Sequence, residues 1–196
     1  MITTTQLKIK RVFDFSLAIV LFPILILPLM VLLLGAIIDV GHYGWFQQWR
    51  VGQDGKLFYM YKIRTLKAGK HQLGALDYHA SAYGRFLRRT KLDELPQLFN
   101  VIFGHMSFVG PRPDIQGFAD ELSGEERIIL IVKPGVTGPA TLKYENEEEI
   151  LAMQSDPETY NRTIIWPDKV EINKKYVQNW SFYLDLKYIL QSIVLK

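Results

Sequence analysis

The stretch FSLAIVLFPILILPLMVLLLGAII, residues 15–38, carries no charge, and Ser16 is its one conventional polar side chain. As helix, its 24 residues would cover about 36 Å, enough to cross the hydrocarbon core of a bilayer. Lys8, Lys10 and Arg11 precede it and place the N-terminus on the cytoplasmic side. A signal peptide also has basic residues before an apolar run, but its apolar region is shorter and a small-residue cleavage site follows. Here Asp39-Val40-Gly41-His42-Tyr43 follows, so the segment is expected to stay in the mature protein. Pro23 and Pro28 sit near its middle. Each removes a backbone donor and crowds the preceding turn, which favours a bend. One reading is a straight spanning helix. The other, preferred on the motifs below, is a helix–break–helix that enters one leaflet and returns.

The other residues have the make-up of a globular domain. The whole chain has 196 residues, 48% hydrophobic and 22% charged, with a formal net charge of +3. That composition excludes a disordered chain. The absence of cysteine excludes disulfides, thiolate metal sites and a cysteine nucleophile. The positive balance suits phosphates or lipid head groups. It is too small and dispersed for nucleic acid, which is excluded as a partner.

Residues 50–66 read as a β-hairpin that turns at Gln53-Asp54-Gly55. Residues 67–80 are polar, contain Gly69 and Gly74, and read as a loop. Residues 83–92 set Tyr83, Phe86 and Leu87 at helical spacing, with Arg85, Arg88 and Arg89 between them. That pattern fits a basic amphipathic helix at a membrane surface. Further helices are expected over 94–103, 118–132, 147–154, 169–180 and 184–194. Gly110-Pro111-Arg112-Pro113 is expected to be an extended loop.

The chemistry concentrates in two places. Leu92-Asp93-Glu94-Leu95-Pro96-Gln97-Leu98 sets two adjacent carboxylates before a proline tolerated only in a first helical turn. This places Asp93 near an N-cap, where it is either a plain cap or part of an anion-binding helix start. Arg112, held stiffly between two prolines, suits bidentate phosphate binding, or else is a surface arginine on a structural loop. Lys62 and Arg64 add cations at a strand end. Lys133-Pro134-Gly135-Val136-Thr137-Gly138 could approach a ligand closely but lacks the spacing of a P-loop or a dinucleotide fingerprint. The four histidines, 42, 71, 79 and 105, show no metal-ligand spacing. The acidic run Glu145 and Glu147 to Glu149 reads as a solvated helix start. A carboxylate can attack phosphorus, a second can hold Mg²⁺, and the cations can neutralise phosphate oxygens. An apolar hairpin beside such a site suggests a lipid acceptor.

These motifs resemble the bacterial sugar transferase family, the small monotopic phosphoglycosyl transferases acting on polyprenyl phosphate. The resemblance runs from about Lys8 to Ile193. It is carried by Lys10-Arg11-Val12-Phe13-Asp14, Tyr61-Lys62-Ile63-Arg64-Thr65, Leu92 to Leu98, Met106 to Pro113, Pro134 to Gly138, and Trp180-Ser181-Phe182-Tyr183-Leu184-Asp185. It implies that Asp93 attacks the sugar-bearing phosphorus of a UDP-sugar and that polyprenyl (undecaprenyl) phosphate then takes the phosphosugar. Glu94, with Asp93, would bind Mg²⁺. Lys62, Arg88, Arg112 and Arg64 would contact phosphates. The product would open a glycan pathway and pass to downstream glycosyltransferases at the inner membrane of a bacterium. The implied fold is α+β and mostly helical. A re-entrant hairpin (1–40), a short β-hairpin and amphipathic interfacial helices surround a compact cytosolic catalytic domain (41–196). The competing readings are a membrane-bound hydrolase using the same carboxylates with water as acceptor, and a non-catalytic scaffold for glycan assembly. Three departures stand out. The family's hairpin breaks at Ser-Pro, whereas Pro28 or Pro23 follows Leu or Phe here; the offset from Asp14 favours Pro28. Residues 139–146 replace the family's Asn-Gly-Arg-Asn stretch. Asn173 stands where many relatives have aspartate.

Overall fold

The computed structural model describes residues 2–67 and 79–194. The expected loop over 67–80, with His71, lies almost wholly outside them. The described chain is mostly helical, with two small sheets.

Helix α1 (Thr4–Val40) starts at a capping box, with Thr3 and Gln6 bonding each other's backbone N–H groups. It ends at Gly41, whose φ of 66° is left-handed backbone that glycine adopts without strain. The backbone stays helical through Pro23 and Pro28, so one continuous helix stands where two arms were expected. Interior prolines are tolerated where neighbouring elements hold a helix in place, and α1 is held along its length. Ala18, Leu29 and Ala36 are buried against the body. The opposite face exposes Val20, Ile24, Leu27, Val31, Leu34 and Ile38. Those positions recur every three or four residues, which is a single stripe along one side of a helix. It is the one helix among the described residues long and apolar enough to cross a membrane.

Strands β1 (Trp45–Val51) and β2 (Leu57–Ile63) pair antiparallel, with Trp45 opposite Ile63 and Val51 opposite Leu57. The turn falls at Gln53–Gly55 as expected, but the first strand begins five residues before Arg50. Helix α2 (Ala82–Arg89) is capped by Ser81, whose Oγ accepts from the Gly84 N–H. A 3₁₀ turn (Leu92–Glu94) and helix α3 (Gln97–Ile102) follow. The expected helix over 94–103 thus starts three residues late, because Pro96 sits at its N-cap. Strand β3 (Ser107–Val109) pairs in parallel with β4 (Gly135–Thr137). β4 was read from sequence as a glycine-rich loop. The expected helix over 118–132 is replaced by two 3₁₀ segments, Ala119–Glu121 and Gly124–Ile131. Gly124, at φ 55°, and an N-cap residue, Ser123, that makes no side-chain cap bond deny it a helical start. Short helices α4 (Pro139–Lys143), α5 (Glu147–Ala152) and α6 (Pro157–Tyr160) lead through a π-turn into α7 (Trp166–Gln178) and α8 (Phe182–Val194).

A buried polar cluster joins the two chain ends. The Lys10 ammonium donates to Asp185 at 2.5 Å, and Tyr176 and Trp180 donate to the same carboxylate at 2.6 and 3.1 Å. Arg11 donates to the carbonyls of Val101 and Ile102 at the end of α3, where a cation meets the negative end of the helix. Lys10 and Arg11, two of the three basic residues before the apolar run, are therefore bound within the protein.

Candidate active site

A cavity of about 490 Å³ opens beside the 3₁₀ turn. Lys62, Arg88, Glu94 and Arg112 line its charged side. Leu21 and Leu25 of α1, with Leu98 and Phe108, line its apolar side. One cavity thus touches both a cluster of cations and the apolar helix.

The charged side is built from four parts of the chain, with Arg88 supplied by α2. Lys62 comes from β2, whose position is fixed by Asn100. The Asn100 amide donates to the Tyr59 carbonyl at 2.6 Å and accepts from the Tyr61 N–H at 3.0 Å. Arg112 follows β3, where the backbones of Gly110 and Gly135 are so close that a Cβ on Gly135 would lie 2.1 Å from the Gly110 nitrogen. Only glycine fits there, and the loop is seated on β4 as a result. Glu94 joins the two cations. Lys62 donates to its Oε1 at 2.9 Å, and the Arg112 guanidinium bonds both carboxylate oxygens. Burial opposes the charge on Glu94, yet Arg112 and Lys62 outweigh it and hold the carboxyl well below the usual range. Glu94 in turn raises the Arg112 pKa.

Asp93 is set differently. It is buried, and its Oδ1 has no hydrogen-bond partner. Burial pushes its carboxyl above the usual range, against the pull of Lys62 and with the push of Glu94. Two adjacent carboxylates are thus driven apart in acidity, the pattern of paired groups with different tasks. The sequence reading placed Asp93 at an α-helix N-cap. Instead it sits in its own 3₁₀ turn after Lys91, which takes a left-handed φ of 56°. It caps no helix, so its setting is one of burial and charge. Its neighbour Glu94 lines the cavity, whereas Asp93 is not among the lining residues.

Arg88 lines the cavity as expected, whereas Arg64 does not. Its Nε donates to the Tyr43 carbonyl and its guanidinium covers the Phe46 ring. Asp114, overlooked in the sequence, does line the cavity. Its carboxyl is pushed up to about 6, first by burial, against the pull of Lys169 and Arg50. A carboxyl raised on folding stabilises the folded state at low pH, and that stability is lost as pH rises through about 6. Asp114→Asn is therefore expected to stabilise the protein at pH 7.5, by about 1–2 kcal/mol, and to have little effect at pH 4. Thermal unfolding of both forms across pH checks this, and equal curves at every pH would refute it.

Among the described residues no three His, Cys, Asp or Glu gather about one point. Mg²⁺ is commonly held by only one or two carboxylates with substrate phosphates and water. The unpartnered Asp93 oxygen fits that smaller set, whereas both Glu94 oxygens are bonded to Lys62 and Arg112 and would have to be shared with the ion.

The model of the bacterial sugar transferase family matches residues 5–195. The chain belongs to the bacterial sugar transferase family. Within that family it is 32% identical over 188 residues to the uncharacterized sugar transferase EpsL of Bacillus subtilis, covering 94% of this chain and 85% of that one. It is 33% identical over 156 residues to a UDP-glucose:undecaprenyl-phosphate glucose-1-phosphate transferase of Klebsiella pneumoniae, covering 76% of this chain and 31% of that one. It is 32% identical over 195 residues to a UDP-N-acetylgalactosamine-undecaprenyl-phosphate N-acetylgalactosaminephosphotransferase of Aeromonas hydrophila, covering 94% and 43%. The bacterial sugar transferase chain therefore spans less than half of the two larger relatives.

Proposed function

We propose that this protein transfers a phosphosugar from a UDP-sugar to undecaprenyl phosphate, releasing UMP. The observation that carries the reading is the single cavity that joins the Lys62–Glu94–Arg112 cluster to Leu21 and Leu25 of the apolar helix. A diphosphate needs the first and a polyprenyl chain the second. The two relatives with named substrates use different sugars, so the sugar is left open.

In the first step an Asp93 carboxylate oxygen attacks the sugar-bearing phosphorus. The bond from that phosphorus to the bridging oxygen breaks, and UMP leaves with the electron pair. In the second step an oxygen of undecaprenyl phosphate attacks the same phosphorus and frees the Asp93 carboxylate. Arg112, Lys62 and Arg88 bind phosphate oxygens and stabilise charge as it moves. Glu94 and Asp93 would hold Mg²⁺, which when bound supplies screening of the diphosphate.

The attachment of α1 supports a reading of its topology. Its start is tied by Arg11 and by Asp14, which accepts from the Phe108 N–H. Its end is tied by Asp39 and by the Leu32 carbonyl, which accept from Ser81 and Tyr83. A helix fastened at both ends to one polar body cannot cross a bilayer straight without drawing that body into hydrocarbon. We therefore read α1 as re-entrant, bent near Pro23 or Pro28, with its exposed stripe in lipid and the rest facing the cytoplasm at the bacterial inner membrane. The reaction would then open a glycan pathway on the cytoplasmic face.

Purified protein given Mg²⁺ and UDP-sugars should release UMP continuously only when undecaprenyl phosphate is present, and no more than one equivalent per enzyme without it. Steady release of UMP and free sugar phosphate without lipid would replace the transferase by a hydrolase.

A further inference from the structure

The Lys62–Glu94–Arg112 cluster accounts for phosphates, but the same cavity has further lining residues of a different character. Helix α7 sends Trp166, Lys169 and Asn173 into the cavity. Their spacing of three and four residues puts them on one face of the helix. Lys169 is engaged by Glu147 at 2.6 Å. Asn173 is only 4% exposed, and its Oδ1 is sealed from solvent without a hydrogen-bond partner. In α4, Thr141 also lines the cavity and repeats the pattern: its Oγ1 is buried and unpartnered. Buried polar atoms are nearly always satisfied, and each exception costs stability. The two unpartnered atoms belong to residues of two different helices that line one cavity, where a hydrogen-bonding ligand would satisfy them.

We propose that Asn173 and Thr141 form a neutral recognition wall that hydrogen-bonds the uncharged part of the nucleotide-sugar donor. This rests on the reading of the cavity as a UDP-sugar site. The chemistry required is an N–H or O–H donor for the Asn173 oxygen and a hydroxyl or carbonyl partner for Thr141. The sugar hydroxyl or acylamido groups and the uracil ring both offer it. Trp166, on the same helix face, supplies an apolar surface for a flat ring. Because no charge is involved, the wall contributes selectivity to a site whose phosphate clamp would hold any nucleoside diphosphate.

The test uses the full chain in detergent or nanodiscs with Mg²⁺. Titration calorimetry with UDP, UDP-glucose and UDP-N-acetylglucosamine is run on wild type, Thr141→Val and Asn173→Leu. Both substitutions nearly keep size; Thr141→Val removes the unpartnered hydroxyl and Asn173→Leu the whole amide with its unpartnered oxygen, so thermal stability should hold or rise. Thr141→Val is expected to weaken binding about 3- to 10-fold, the worth of one neutral hydrogen bond, and Asn173→Leu by at least as much. A loss shared by UDP and the UDP-sugars assigns the wall to uracil. A loss confined to the UDP-sugars assigns it to the sugar. Unchanged affinity for every compound in folded variants overturns the proposal. Failure of wild type itself to bind any of the three would overturn the donor reading on which the proposal rests.

Discussion

Asp93→Asn is expected to cut UMP release by at least about four orders of magnitude, because an amide cannot take the place of the attacking carboxylate. The loss should fall on the rate and spare the fold. Asp93 is a buried carboxyl raised in pKa by desolvation, with an unpartnered oxygen. Making it neutral removes a cost, so the variant should melt no lower than wild type. Intact-mass spectrometry provides the second readout. Wild type mixed with a UDP-sugar and no lipid should gain the mass of one phosphosugar, and Asp93→Asn should gain nothing. The raised carboxyl also fixes the sign of a pH effect. Attack needs the ionised form, so the acid limb of the rate should lie above the ordinary carboxylate range. Glu94 cannot produce that limb, since Arg112 and Lys62 keep it ionised to much lower pH. A variant that retains the wild-type rate, or that still forms the adduct, would remove Asp93 from the role of nucleophile.

How far the sequence discloses the molecule depends on the range of the forces involved. The β-hairpin turn at Gln53–Gly55 and the helices α5, α7 and α8 are legible because local turn chemistry and periodicity determine them. The Asp93–Glu94 pair and Arg112 stand out as residue types in a tight motif, and the cavity does bring Glu94, Lys62, Arg88 and Arg112 together. Arg64 carries the same charge as Lys62 two positions away, yet its partners are Tyr43 and Phe46, which local pattern could not disclose. The 3₁₀ turn around Asp93 depends on Lys91 accepting a left-handed φ, which its residue type gives no reason to expect. Strand β4 exists only because β3, 28 residues earlier at the Ser107–Gly135 pairing, lies alongside it. Asn173 and Thr141 look ordinary in sequence. Their unpartnered atoms appear only once the surrounding side chains are in place. The continuous path of α1 through two prolines is likewise a product of packing, with Ala18, Leu29 and Ala36 against the body.

The second large effect is on stability and lies far from the cavity. Asp185→Ala is expected to cost about 3–5 kcal/mol, because it strips a buried ammonium of the carboxylate it is hydrogen-bonded to. Lys10 is 4% and Asp185 1% exposed, and the two lie 175 residues apart in sequence. Removing the carboxylate also leaves the Tyr176 hydroxyl and the Trp180 N–H without their acceptor. The Lys10 ammonium and the Trp180 N–H would lose their buried acceptor, and Tyr176 would keep only a 3.4 Å bond to the Val109 carbonyl, which costs far more than the original pair contributes. The double variant Lys10→Met with Asp185→Asn separates the two effects. It removes the stranded charge and returns an amide oxygen to the site, so it should recover at least half of the loss. Glu125→Ala serves as the control. It also breaks an ion pair, with Lys174, but Glu125 is fully exposed to water, and its loss should leave the melting curve unchanged. Chemical unfolding of the four proteins in one detergent provides the measurement. An Asp185→Ala protein that unfolds with wild type would mean that water reaches Lys10 and that the junction between α1 and the closing helices is open. If the junction is closed, the same cluster that fixes Tyr176 and Trp180 also fixes the start of α1. Asp14, one helical turn beyond Lys10, accepts from Phe108, and Phe108 lines the cavity beside Arg112. The pair at the chain ends then sets where the lipid-facing helix meets the phosphate-binding side chains.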